Sequence, residues 1–175
     1  LKTDGAAVDK LEKTMSDSGV QSGISGWRMS SCAFTGHREL FADFDRPLLE
    51  RVVSTLVRRG CTDFYCGMAK GFDLAAAEIV LKFKNEGARL IACIPYSGQA
   101  EYFSAADKER YEQILLYCDE KKVFAEKYNR YCMHSRDRFM VENCDVLVCY
   151  LRKTSGGTFY TVNYAMSRGV KIIEL

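Results

Sequence analysis

The chain has 175 residues, 47% of them hydrophobic, and a formal net charge of +2 from 25 basic and 23 acidic side chains. That length suits one domain with a full core. The near-balance of charge excludes a general attraction to nucleic acid or an anionic membrane, so any anion site must be local.

Residues 1–28 are rich in Ser, Gly, Asp and Lys and poor in large apolar side chains. They read as a flexible leader or the remnant of a processed or tagged terminus, with Met29 a possible natural start. Residues 29–175 are expected to form the compact domain. Apolar residues 29–34 read as a buried strand ending at Thr35-Gly36. Residues 47–59 repeat apolar side chains near a 3.6 period, at Leu48, Leu49, Val52, Val53, Leu56 and Val57, and predict a helix stopped by Gly60. A second strand is expected over 63–66 and a second helix over 72–84. A third strand follows at 88–94, stopped by Pro95, then a helix over 105–118 and a short strand at 121–124. A helix over 133–141, a strand over 146–150, a helix over 158–167 and a strand over 170–173 complete the pattern. Short apolar strands alternating with amphipathic helices imply a Rossmann-like α/β fold. It is a three-layer α/β/α sandwich around a mostly parallel sheet of about six strands.

Eight cysteines occur without a CxxC pair, most within or beside apolar runs, and there are only two histidines. This spacing points to buried free thiols in a reducing, cytoplasmic setting rather than to disulfides or a metal. No run approaches the ~18 apolar residues of a membrane span, and no secretory signal is visible.

Ligands of such sheets bind beyond the carboxyl ends of the strands, so the segments after the strands carry the functional expectations. After the first strand, Gly36 allows a close backbone approach, and Arg38 offers a fork for phosphate or carboxylate. His37 is a possible base or donor, and Thr35 adds a hydroxyl. The segment reads equally as a polar turn. After the second strand, Gly67 and Gly71 bracket a turn into a helix, the form of a phosphate loop, although neither a Walker A nor a GxGxxG pattern is present. Asp73 reads as a helix cap or as an acceptor for ribose hydroxyls. After the fifth strand, Ser155, Gly156, Gly157 and Thr158 form a second phosphate-type loop. Tyr96 is expected to pack at the rim or stack on a base. Either Arg136 or Arg138 can reach the pocket, and His134 reads as a surface histidine.

Taken together these strings resemble the YpsA-like branch of the SLOG superfamily, named for the SMF/DprA and LOG proteins. The strings are Phe34-Thr35-Gly36-His37-Arg38, Gly67-Met68-Ala69 with Gly71 and Asp73, Ile94-Pro95, Arg138 with Met140-Val141, and Ser155-Gly156-Gly157-Thr158. The resemblance covers 29–175. It implies a Rossmann-like domain that binds a nucleotide or a nucleotide-derived ligand such as ADP-ribose or NAD, and it adds Met68, Pro95 and Arg138 to the ligand-binding set. Within the superfamily, LOG proteins are phosphoribohydrolases, DprA proteins bind single-stranded DNA, and some SLOG domains sense NAD- or ADP-ribose-derived signals in bacterial defence. The LOG loop carries a glutamate where Thr161, Val162 and Asn163 stand here. The expectation is therefore a sensor or binding module for a small nucleotide-like ligand, with no certain cofactor. The alternative is a nucleotide N-glycosidic hydrolase using Asp73 and His37, which would need a carboxylate beside the sugar. A single-stranded DNA-binding or scaffold protein is the further alternative. Nucleic acid is not expected as a partner, given the balanced charge. A homo-oligomer is possible.

Overall fold

A computed structural model describes residues 29–175; the expected leader lies outside them. Six strands form one sheet, β1 (Ser31–Gly36), β2 (Asp63–Cys66), β3 (Arg89–Ile94), β4 (Glu120–Val123), β5 (Val146–Tyr150) and β6 (Lys171–Glu174). Five helices join them, α1 (Arg46–Arg58), α2 (Phe72–Lys82), α3 (Ala105–Tyr117), α4 (Cys132–Glu142) and α5 (Gly156–Ser167). A 3-10 turn, Lys84–Glu86, follows α2. The strand order is β4-β3-β2-β1-β5-β6, and every pairing is parallel. The expected Rossmann-like α/β architecture is what the chain adopts.

Pleating sends alternate side chains of each strand to opposite faces. Cys32 and Phe34 of β1, Val146, Val148 and Tyr150 of β5, and Phe64 of β2 enter one core with α1, α2 and α3. Ala33, Leu147 and Cys149 enter the other with Met140 and Val141 of α4 and Val162 and Ala165 of α5. Both faces are covered, which explains why the central strands are apolar almost throughout. All six periodic residues of α1 are buried. Its first turn is closed by Asp45, which accepts the Leu48 N–H at 2.8 Å.

Several boundaries shift by one or two residues from expectation, and two of these shifts touch the crevice. β1 runs through Thr35 and Gly36, because they continue the ladder against Cys149 and Tyr150 of β5. Helix α5 begins at Gly156 rather than Thr158, so both glycines of the expected loop lie in its first turn. The chain leaves β1 towards α1 on one face and β5 towards α5 on the other. Strand order therefore reverses between these neighbours, where doubly wound sheets open a crevice. Among the described residues no helix is long and apolar enough to cross a membrane.

Candidate functional site

A cavity of about 760 Å³ opens at this crevice. Thr35, Gly36, His37, Arg38 and Glu39 line it from β1, and Lys153, Ser155, Gly156, Gly157, Thr158 and Thr161 from β5 and α5. Ala69, Lys70 and Asp73 enter from the start of α2, and Met133, His134, Arg136, Asp137 and Met140 from α4.

The start of α5 is exposed and leaves open space beside its backbone. Ser155 occupies the cap position but makes no side-chain capping bond. Gly156 has φ +86°, which favours glycine, whereas Gly157 is not in that region. A Cβ at Gly157 would meet nothing within 4 Å. Neither backbone conformation nor packing requires glycine at 157. First-turn amides without a side-chain acceptor, on a backbone bare of side chains, form an anion-receptive helix end. By contrast α1 and α3, whose first turns do not line the cavity, are capped by Asp45 and Ser104.

The 67–71 segment behaves differently from the expected phosphate loop. The Gly67 carbonyl accepts from Arg136 Nη1 and, at 2.9 Å, from Gln99 Nε2. The Ala69 N–H donates to Asp73 Oδ2 at 3.2 Å, and the Phe72 N–H to the His37 carbonyl at 3.1 Å. A Cβ at Gly67 would strike Arg136, and one at Gly71, φ +80°, would strike the Arg38 backbone. These glycines let chain segments pack against each other. Met68 is fully buried in the core. Gly67, Met68 and Gly71 therefore stand behind the cavity wall, and only Ala69 and Lys70 of this segment line it. Gly36 lines the cavity, but it too answers a packing need, since a Cβ there would collide with the Phe72 ring.

Pro95 is buried at the end of β3 and does not line the cavity. Nor does Tyr96, whose ring meets Tyr128 edge-on at 5.5 Å. Arg138 points away, donating to Tyr160 Oη at 2.9 Å with its guanidinium over the Tyr164 ring. Arg136, two positions earlier, faces inward, because residues two apart lie on nearly opposite sides of a helix. Met133, Arg136, Asp137 and Met140 share the cavity face of α4 at the i, i+3, i+4, i+7 spacing of one helical stripe. Polar residues on an otherwise apolar stripe were the signal available for Arg136 and Asp137. Lys70 and Lys153, in polar surface segments, carried none. His134, expected at the surface, is exposed and also forms part of the wall.

Asp73 and His37 face this space with shifted proton affinities. Asp73 is pushed up to about 7 by burial, which outweighs the pull of Arg136 and the Ala69 hydrogen bond. Arg136 is already committed to Asp137, at 2.7 Å, and to the Gly67 carbonyl. Asp73 can thus gain or lose a proton near neutrality. His37 is held below its ordinary value by burial and by Lys153 and Arg152. Its Nε2 accepts the Arg152 N–H at 2.8 Å, so the imidazole is neutral with its proton on Nδ1. The same loop is anchored through Arg152 Nε to Asp43 at 2.6 Å, and Asp43 also accepts from Tyr150 Oη at 2.7 Å. This clasp fixes the spacing between the two sides of the crevice. No group of three or more His, Cys, Asp or Glu able to hold a metal occurs among the described residues.

Comparison with known proteins places this geometry in context. The YpsA family model, described as the YspA SLOG family, matches residues 24–171. No curated protein matches the chain. Among solved structures, DNA processing protein A (DprA) of Streptococcus pneumoniae superposes with a TM-score of 0.62 at 21% identity, over 82% of this chain and 49% of its own. The same protein from Helicobacter pylori, described for its unique single-stranded DNA binding mode, gives 0.63 at 16% identity, over 82% of this chain and 64% of its own. A structural-genomics target, TM1055, gives 0.52 at 16% identity, over 82% of this chain and 72% of its own. The chain thus spans about half of the first of these proteins and under two thirds of the second. At these identities the likeness is one of fold.

Proposed function

The chain belongs to the YspA SLOG family, and from that premise we propose that its crevice binds the phosphate of a small nucleotide or nucleotide-derived molecule, as a sensor or binding module. The observation that carries this reading is Gly157. It is a helical glycine that neither fold nor packing requires, at an uncapped helix end opening into the cavity. Glycine within a helix costs about 0.5–1 kcal/mol relative to alanine, and close approach of a ligand to the backbone accounts for keeping it. Arg38, Lys70 and Lys153 supply positive charge around the same space. Ser155 and Thr158 add hydroxyl donors.

A thermal-shift panel of nucleoside mono- and diphosphates, NAD and ADP-ribose tests the reading. Saturating ligand at 100 times its Kd stabilises a protein by about 2.7 kcal/mol, so a binder raises Tm by several degrees. No shift from any of these compounds would sink it.

A second reading, single-stranded DNA, rests on the fold shared with the Helicobacter pylori protein described for that activity. It predicts affinity that falls steeply with salt, because each phosphate contact releases counterions. A mononucleotide held at one helix end shows a much shallower salt slope.

A further inference from the structure

The cavity is chemically two-sided. Its α5 end carries the bare amides, with Lys153 also in the lining, whereas its α4 wall presents Met133, His134 and Met140 beside the paired Arg136 and Asp137, and Phe34 joins the lining from β1. About 760 Å³ lies within the ~300–1,000 Å³ range of sites for whole organic ligands and far exceeds the needs of a phosphate alone. His134 stands in the first turn of α4, exposed and part of the cavity lining. Its ring meets Tyr160 at 4.1 Å between centroids and an interplanar angle of 74°. Tyr160 is held in turn by Arg138 at 2.9 Å and lies parallel to Tyr164, at 6.3 Å. The Tyr164 hydroxyl donates to Glu142 of α4. The imidazole is therefore backed by a braced row of aromatic rings spanning α4 and α5.

We propose that His134, positioned by Tyr160, is the surface against which the ligand's base lies, so that the crevice distinguishes nucleotides from sugar phosphates. The proposal rests on the phosphate reading above. Tyr160 lies four residues beyond Gly156, ~6 Å along the helix axis, and helical side chains lean back towards the N-terminus. The imidazole it supports thus stands beside the second turn of α5, next to the turn whose amides are assigned to the phosphate. Planar rings, histidine among them, are common stacking partners for unpaired bases, and such stacking tolerates different bases.

Calorimetric titration of the wild-type chain with inorganic phosphate, ribose 5-phosphate, and AMP, GMP, CMP and UMP tests this, alongside His134→Ala, His134→Phe and Tyr160→Ala. In the wild type at least one nucleotide binds on the order of tenfold more tightly than ribose 5-phosphate. His134→Ala removes that preference and leaves ribose 5-phosphate affinity within about twofold of wild type. His134→Phe restores the preference, because it keeps a flat ring, and Tyr160→Ala reduces it. Thermal melting confirms that each variant folds. Equal wild-type affinities for ribose 5-phosphate and every nucleotide would overturn the base surface alone. So would a parallel loss of both in His134→Ala, or no loss of either. If neither these probes nor the diphosphates, NAD and ADP-ribose of the thermal-shift panel bind the wild type, the phosphate reading fails and this proposal fails with it.

Discussion

Asp73 and Gly157 show how much of this site depends on single groups. Asp73 holds its proton more tightly in the fold than in the unfolded chain, with its value raised to about 7 from the usual 3.8. Between those values the folded protein binds the extra proton, so stability falls as pH rises and levels off above about 7. A tenfold change in proton affinity is worth about 1.4 kcal/mol, so the loss across this pH range reaches up to ~4 kcal/mol. Asp73→Asn should abolish this dependence. Urea unfolding at pH 5 and pH 8 is expected to show the wild type losing stability relative to the variant on going to pH 8. Parallel behaviour of the two would show that Asp73 titrates normally. Gly157→Ala should do the reverse of most site substitutions. It is expected to raise stability by about 0.5–1 kcal/mol by removing a helical glycine while weakening a phosphate ligand. A variant that is both less stable and unaltered in binding would contradict the role given to that glycine.

At the scale of the elements, α4 separates what periodicity reveals from what it hides. Its length and position are legible in the sequence, and so are those of the other four helices and six strands, because apolar spacing records burial. Its cavity face is legible only in part: Arg136 is one of the two arginines expected to reach the pocket, but Asp137 occupies a stripe that pattern reading reserves for apolar residues. Arg138 fits the expected surface-to-pocket motif but lies on the opposite side. The two arginines should therefore differ sharply on replacement. Arg136→Ala strands the buried Asp137, leaves the Gly67 carbonyl with Gln99 Nε2 as its remaining side-chain donor, and is expected to cost about 3–5 kcal/mol. Arg138→Ala, at the surface, should stay within about 0.5 kcal/mol. Chemical denaturation of both variants measures this, and similar losses would place both arginines in the same environment. The 67–71 segment teaches the complementary lesson. Its glycines look like a phosphate loop in sequence, but collisions with Arg136 and the Arg38 backbone explain them, and no local pattern announces such contacts.

At the scale of the molecule, the crevice depends on two halves of the sheet being held together beyond β1 and β5. Asp43, Tyr150, Arg152 and His37 make that connection. His37 takes up its proton less readily when folded than the usual 6.5. Its contribution is therefore fully present above about pH 6.5 and is lost as pH falls from there towards the lowered value. Acidification should reduce the hydrogen-exchange protection of the Arg152 amide before that of the central strands, whereas uniform loss would mean the clasp is no separate unit. The clasp frames the helix end proposed to hold the phosphate. Isothermal titration of the best-binding nucleotide into the wild type and Gly157→Val, with Tm recorded for both, tests that role most directly. One site per chain is expected in the wild type and at least a tenfold weaker Kd in the variant, on the order of one contact of 1.4 kcal/mol or more, with the fold retained. An unchanged Kd in a folded Gly157→Val protein would contradict that role.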